Sequence, residues 1–286
     1  MARILIVGSG DIGGGLAIQL AAKGHDVWGM RRSEKEVGAG VTTISADVAD
    51  METLIGKMPE KLDYIVYSVA SPEFSEEGYD KFYVQGLVHI MALLRHEGHN
   101  PNRIFLVSST SVYPHHDGSW VDESVVPEPT AFAGRKMLEA EQKLLSSEYA
   151  GTAVRFSGIY GPGRTRMINQ AKTGAHCDPE PDVWTNRIHR DDCIGVLEFL
   201  IEQDQNKVPL EDVYIATDLQ PTPLFEILEW MKDRIGDVEP DHDVPEATRR
   251  GSKRLSSQKL QDLGYKFKYE NYVVGYDEIL KDMGYL

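Results

Sequence analysis

Ile4-Leu5-Ile6-Val7-Gly8-Ser9-Gly10-Asp11-Ile12-Gly13-Gly14-Gly15 is an apolar run that ends in a G-x-G-x-x-G turn. The residues after it keep helical spacing. Ile12, Leu16 and Leu20 share one face, and Gly24 stands where such a helix stops. A second apolar run, Val27-Trp28-Gly29-Met30, follows at once. Strand, glycine turn, helix and strand in this order make a β-α-β unit of the dinucleotide-binding kind. Gly8 permits the tight turn, Gly10 lets the backbone approach a pyrophosphate, and Gly13 lets helix and strand pack closely. Asp11, Ile12 and Gly13 then open the helix, whose N–H groups and positive dipole end suit an anion.

The end of the second strand selects the cofactor. An NAD site places Asp or Glu there for the ribose 2′-OH, whereas an NADP site needs a cation for the 2′-phosphate. Here Met30 is followed by Arg31, Arg32 and Ser33, and Glu34 lies past the expected position. Arginine gives paired donors and serine a further one, so NADP is the expected cofactor and NAD the alternative. A solvated basic turn is the plain alternative to both.

Composition narrows the rest. A chain of 286 residues can bury a sizeable core. A net charge of −15 argues against nucleic acid or an anionic membrane surface as a partner. Cys177 and Cys193 form no CxxC, the pair His115-His116 has no third ligand in sight, and no metal is expected. Few cysteines and no secretory or membrane-spanning run point to the cytoplasm. Apolar spacing predicts further strands at 42–44, 64–67, 103–107, 153–156 and 213–216, and helices over about 80–95, 135–147, 191–203 and 223–235. Alternating strands and helices predict an α/β chain: a Rossmann-type doubly wound parallel sheet with a small C-terminal substrate lobe. The expected division is 1–160 for the nucleotide-binding domain and 161–286 for a mixed lobe with segments returning to the sheet. Two excursions are expected, at 161–186 over a substrate cleft and at 237–251.

Further segments resemble, in family order, the extended short-chain dehydrogenase/reductases, the class of nucleotide-sugar epimerases and dehydratases. Ile44-Ser45-Ala46-Asp47-Val48 resembles the adenine-contacting segment, which implies cofactor roles for Asp47 and Val48. Tyr67-Ser68-Val69-Ala70-Ser71 resembles the strand end that lines the cofactor, which implies Ser68, Val69 and Ala70. Leu106-Val107-Ser108-Ser109-Thr110-Ser111-Val112-Tyr113-Pro114 resembles the strand with the active-site Ser/Thr. Arg155-Phe156-Ser157-Gly158-Ile159-Tyr160-Gly161-Pro162-Gly163 resembles the element beside the nicotinamide, which implies Phe156, Gly158 and Ile159. Asn186-Arg187-Ile188-His189-Arg190-Asp191-Asp192 resembles the lead into the substrate lobe. The glycine loop is shorter than the family's usual one.

The family's chemistry uses a Tyr, a Lys four residues later, a Ser or Thr, and an Asn. The resemblance implies that Tyr and substrate oxygen exchange a proton while Lys lowers the Tyr pKa and holds the nicotinamide ribose. The spacing works because i and i+4 share a helix face. Lys136 is present, but Phe132 stands at the Tyr position and Tyr83 at the Asn position. Ser109 falls at the Ser/Thr position, with Thr110 one step away. Tyr113 and Tyr160 are the nearest alternative acids, and Ser109, Lys136 and Tyr113 form the candidate catalytic set. His189 and Arg187 either face an anionic substrate or are buried and hydrogen-bonded. The pattern, with residues 252–265 read as an exposed strand and short helix, resembles the family's atypical subgroup. Two functions fit: an NADP-dependent oxidoreductase or epimerase/dehydratase acting on a small polar molecule, such as a nucleotide sugar, or a non-catalytic NADP(H) sensor. The expected assembly is a monomer or homodimer.

Overall fold

Seven apolar segments line up in one parallel sheet in the computed structural model of the chain, which describes residues 1–236 and 251–286. They are β1 (Arg3–Val7), β2 (Asp26–Arg31), β3 (Val41–Ser45), β4 (Tyr64–Tyr67), β5 (Arg103–Ser109), β6 (Gly151–Phe156) and β7 (Val213–Ala216). Their order is β7-β6-β5-β4-β1-β2-β3. β4, buried throughout, and β1, buried from Ile4 to Val7, read as interior strands of a sheet covered on both faces. The strand order reverses at β1, so β1 and β4 flank the switch point where such sheets bind ligands. In register, Val7 lies opposite both Met30 and Tyr67. The glycine turn therefore leaves the sheet beside Ser68. The excursion at 237–251 lies outside the described residues apart from Gly251.

The chain forms two compact units interleaved along the sequence. The first comprises Met1–Tyr113, Pro127–Arg155 and Ile194–Tyr214. Its core packs Leu5, Val7, Ile65 and Leu106 against Leu87, Ile90, Leu94 and Leu144. The helices involved include α1 (Asp11–Ala22), α2 (Gly86–His96) and α3 (Phe132–Leu145). The helix expected over 80–95 is broken into a turn of α-helix, Glu76–Tyr79, a π-turn, Asp80–Gln85, and α2. Tyr67 explains the break. Its hydroxyl donates to the Phe82 carbonyl at 2.5 Å, and a side chain that takes a carbonyl disturbs the i→i−4 ladder.

The second unit comprises Pro114–Val126, Phe156–Cys193 and Ile215–Leu286. Gly158–Tyr160 pairs in parallel with Arg187–His189, and Arg254–Leu255 with Trp120–Val121. Tyr160, Ile168, Leu228, Met231, Tyr276 and Leu280 form its core. The 161–186 excursion contains a helix, Arg166–Lys172, which its flanking glycines and prolines mask in the sequence. The strand read as exposed at 252–265 is half in the core, with Leu255 buried against solvent. No helix among the described residues is long and apolar enough to cross a membrane.

Candidate active site

Three glycines of the loop have three different surroundings. Gly8 has φ +94°, and a Cβ there would stand 2.6 Å from the Ser68 carbonyl carbon and 2.7 Å from the Val69 nitrogen. Only glycine fits that conformation against that backbone. A Cβ on Gly13 would overlap the Gly8 carbonyl oxygen and come 3.0 Å from Ile6 Cγ2. Gly10 is different, because a Cβ there meets no protein atom within 4 Å. Internal packing thus demands glycine at 8 and 13 but not at 10. The loop is pinned by its own backbone: the N–H groups of Gly8 and Ser9 both donate to the Met30 carbonyl at 3.0 Å. Gly10 is the N-cap of α1 and supplies no side-chain cap to its first turn, where Asp11, Ile12 and Gly13 stand. A bare helix N-terminus behind an unobstructed glycine fits a dinucleotide pyrophosphate.

The rim residues belong to the same unit. Arg31 lies opposite Ser45 in the β2–β3 register. Arg32 stacks its guanidinium over the Phe82 ring at 5.5 Å, and Ser33 is exposed. Among the described residues, no carboxylate pairs with Arg31 or Arg32. Asp47 Oδ1 accepts the Ala49 N–H at 3.0 Å, and the Val48 carbonyl lies 2.8 Å from His89 Nδ1. Ser68 donates its N–H to the Val7 carbonyl at 2.7 Å, which sets Ser68, Val69 and the exposed Ala70 beside the glycine turn.

Ser108 and Ser109 point to opposite sides of β5, as successive strand residues must. Ser108 is buried, and its hydroxyl donates to the Glu141 carboxylate. Glu141 also grips Arg155, whose Nη2 reaches Oε2 at 2.6 Å and whose Nε reaches Oε1 at 3.0 Å. Arg155 Nη1 in turn donates to the Tyr113 hydroxyl at 2.5 Å. Tyr113 is 1% exposed and is thus an internal member of this polar network. Ser109 is half-buried, and its Oγ accepts the Ser111 N–H at 3.1 Å, so the hydroxyl keeps a proton to donate. Gly134 on α3 lies against the Ser111 carbonyl, so close that a Cβ would overlap it. That contact seats the first turns of α3, with Phe132 and Lys136, on the turn that Ser109 caps.

Lys136 donates to Asp80 Oδ1 at 2.7 Å and to Glu139 Oε2 at 2.9 Å. These two carboxylates, Asp80 foremost, raise its pKa and hold it as the cation. Phe132 packs in a group of rings, 5.0 Å from Phe74 and 5.4 Å from Tyr79. Tyr83, at the Asn position, lies 4.8 Å from Tyr79, and its hydroxyl oxygen accepts the Ser71 N–H at 3.3 Å. Glu141 and Asp80 were not singled out from sequence. Glu141 left a signal: it sits on the apolar face of α3 between Met137 and Leu144, where a carboxylate needs a buried partner. Asp80 left none, because its pairing depends on the π-turn.

In the second unit, Gly158 and Ile159 lie opposite Arg187 and Ile188, and Phe156 is buried. Tyr160 stacks on Tyr276 with ring centroids 4.5 Å apart and meets the His189 ring edge-on at 5.2 Å. Burial pushes the Tyr160 phenol far above its ordinary range and depresses His189. Arg187 is buried and donates to Thr185 Oγ1.

Sheet order and glycine turn together define a Rossmann-like α/β protein. Residues 4–216 match the model of the NAD dependent epimerase/dehydratase family, and the chain belongs to that family. It is 42% identical to a provisionally assigned NAD-dependent epimerase/dehydratase from Methylobacillus flagellatus, with a TM-score of 0.83 over 99% of this chain and 98% of that one. It is 29% identical over 211 residues to Protein YeeZ of Escherichia coli K12, covering 71% of this chain and 74% of YeeZ. A UDP-glucose 4-epimerase from Thermotoga maritima, solved with UDP-glucose, shares the fold at 17% identity, with a TM-score of 0.80 over 98% of this chain and 99% of that one.

Proposed function

We propose that this chain binds NADP(H) and acts as an oxidoreductase or epimerase/dehydratase-like enzyme on a small polar substrate, with nucleotide sugars the first class to try. The observation that carries the reading is Gly10, a glycine that internal packing does not require, placed at the bare N-terminus of α1. In this reading the first-turn N–H groups meet the pyrophosphate, and Arg31, Arg32 and Ser33 take the 2′-phosphate. Asp47 and Val48 border the adenine, while Ser68, Val69 and Ala70 line the middle of the cofactor. Phe156, Gly158 and Ile159 are assigned beside the nicotinamide on the family resemblance, and the lobe within 161–286 to the substrate. Bound there, the nicotinamide would supply or take a hydride. Ser109 would donate its hydroxyl proton in a hydrogen bond to the substrate oxygen, and Lys136 would hold the ribose. With Tyr113 internal to the Glu141–Arg155 network, Ser109 is the hydroxyl assigned to substrate. Two buried cysteines outside any disulfide accord with a reducing compartment, and we assign the chain to the cytoplasm.

Calorimetry with NADPH and NADH tests the reading, with NADPH expected to bind clearly tighter. Equal affinities would remove the 2′-phosphate assignment, and no binding of either would remove the reading itself. A second reading, a non-catalytic NADP(H) sensor, is favoured by one observation: Phe132, with no proton to give, stands one helical turn before Lys136.

A further inference from the structure

Two tryptophans of the second unit enclose one arginine. Arg254 Cζ lies 5.2 Å from the centre of the Trp120 ring and 5.0 Å from that of Trp184, so the guanidinium sits against both indoles. Arg254 and Trp120 are partners in the pairing of Arg254–Leu255 with Trp120–Val121. Arg254 Nε donates to the Gly118 carbonyl at 2.7 Å, which orients the guanidinium. Asn186, itself buried, fixes the backbone on both sides of Arg254: its Nδ2 donates to the Lys253 carbonyl and its Oδ1 accepts the Leu255 N–H, each at 2.8 Å. Trp184 is tied to the same strand, its N–H donating to Ser252 Oγ at 3.0 Å. Gly118, with φ +72°, leaves room for that ring, since a Cβ there would come to 3.0 Å from Trp184 Cδ1. Held in this way, Arg254 has little freedom left to lose on binding.

Its Nη1 and Nη2 donors are the ones the protein does not use. Among the described residues, nothing accepts from them and no carboxylate pairs with Arg254. The acids on either side of Trp120, Asp117 and Asp122, are turned to Ser119 and Ser124 instead. Arg234 in the same unit shows the contrast: it stacks on Trp230 at 4.3 Å, but its Nε is taken by Asp277 at 2.9 Å. In a chain of net charge −15, Arg254 has been left without an acid. Trp120 beside it is 57% exposed, so much of an indole also faces solvent. We propose that Arg254, Trp120 and Trp184 form a binding site for an acidic group, phosphate or carboxylate, carried on a flat ring. The paired Nη donors meet two oxygens of the acid, and the ring stacks on Trp120. Asn186 and Gly118 are positioning residues for the guanidinium. The inference rests on the enzyme reading above in one respect, that the acid belongs to the substrate.

The test is NMR of the full chain carrying ¹⁵N-labelled tryptophan, without cofactor. The four indole N–H signals belong to Trp28, Trp120, Trp184 and Trp230, and single Trp→Phe variants assign them. Uridine monophosphate and benzoate are the acidic probes, with uridine and benzyl alcohol as their uncharged counterparts. The Trp120 and Trp184 signals should move together and saturate with at least one acid, and the tighter of the two tells phosphate from carboxylate. Trp28 and Trp230 should stay in place, and the uncharged counterparts should move none of the four. Arg254→Lys keeps the charge but loses the paired donors, and should weaken binding about tenfold or more. Trp120→Leu should weaken it about fivefold or more, read on Trp184. Arg234→Met should leave it unchanged. Unmoved Trp28 and Trp230 signals in Arg254→Lys and Trp120→Leu report an intact fold. Trp120 and Trp184 signals that ignore both acids, or that move equally with sodium chloride at matched ionic strength, overturn the proposal. So does an Arg254→Lys chain that binds as the parent does. Calorimetry reports NADPH binding separately. A chain that binds NADPH while its indoles ignore the acids overturns this inference alone; one whose indoles respond but which binds neither NADPH nor NADH loses the cofactor reading and keeps the site.

Discussion

Arg155 and Glu141 meet inside the first unit as a two-point ion pair, with guanidinium Nη2 2.6 Å from Oε2 and Nε 3.0 Å from Oε1. Both side chains are almost wholly buried, at 5% and 1% exposure. The pair joins β6 to α3, and Ser108 and Tyr113 complete its hydrogen bonding.

Removing one partner of such a pair strands a buried charge. Glu141→Leu should destabilise the chain by about 3–5 kcal/mol, read as a fall in the urea midpoint with an unchanged slope. Glu141→Leu combined with Arg155→Met should recover much of the loss, because the stranded charge is then gone. A single mutant as stable as the parent would show that the pair is reached by solvent.

The two glycines that open the loop should part company on substitution. Gly8→Ala faces a positive φ and a backbone contact at 2.6 Å, and should cost about 3 kcal/mol or more. Gly10→Ala meets no protein atom and should stay within about 1 kcal/mol of the parent. Its Cβ occupies the space assigned to the pyrophosphate, so NADPH binding should fall sharply in a well-folded protein. Calorimetry beside thermal melting reads both; unchanged binding in Gly10→Ala would show that the loop is only a turn.

Arg31→Ala with Arg32→Ala should erase the preference for NADPH and leave NADH binding nearly unchanged. A hydrogen bond to a charged group contributes about 1.5–3 kcal/mol, so each lost contact weakens NADPH at least about tenfold. The loss should shrink as salt rises, since Arg32 is exposed. Equal losses for both cofactors would mean that the arginines support the loop rather than the phosphate.

Asp218 makes stability depend on pH. Burial pushes its carboxyl up to about 7, with Arg187 pulling the other way. The unfolded chain ionises Asp near 3.9, so between about pH 4 and 7 the folded state binds more protons. Its contribution to stability is therefore full below about pH 4 and is lost as pH rises through 7. Asp218→Asn stays neutral and should remove this trend, so parent-minus-variant stability should fall by up to a few kcal/mol from pH 4.5 to 7.5. His189, depressed by burial, works in the opposite sense below about pH 6.5, but it is common to both proteins and cancels in the difference. Urea unfolding at several pH values measures it, and a flat difference would show that Asp218 is ionised in the fold.

The first β-α-β unit was readable residue by residue, because each signal there is local. Strand β1 carries the continuous apolar run Ile4-Leu5-Ile6-Val7, α1 has one apolar face, and Gly24 ends it with φ +86°. The glycine turn was readable for the same reason: a tight turn and a close helix–strand approach impose glycine whatever lies elsewhere in the chain. The helix over 80–95 was legible as a periodic stripe, but its interruption was not, since that depends on Tyr67, some fifteen residues earlier in sequence, reaching the Phe82 carbonyl.

Ser109 and Lys136 could be proposed from their matching segments, but Ser108 next door has the same chemistry. What separates the serines is the pleat of β5, which turns Ser108 to Glu141 and leaves Ser109 at the half-buried face. Tyr113 carried a phenol at a plausible position, and only packing showed that Arg155, more than forty residues later in the chain, occupies its hydroxyl. Asp80 drew no notice in the sequence, because a carboxylate in a polar stretch is ordinary. The sequence by itself determined the local matters: strand, turn, helix, the glycines and the arginines after β2. Tertiary structure decided which polar side chains share a burial site and which keep a proton to give. Hydrogen bonds and ion pairs between distant residues depend on how separate elements pack, and no spacing along the chain records that.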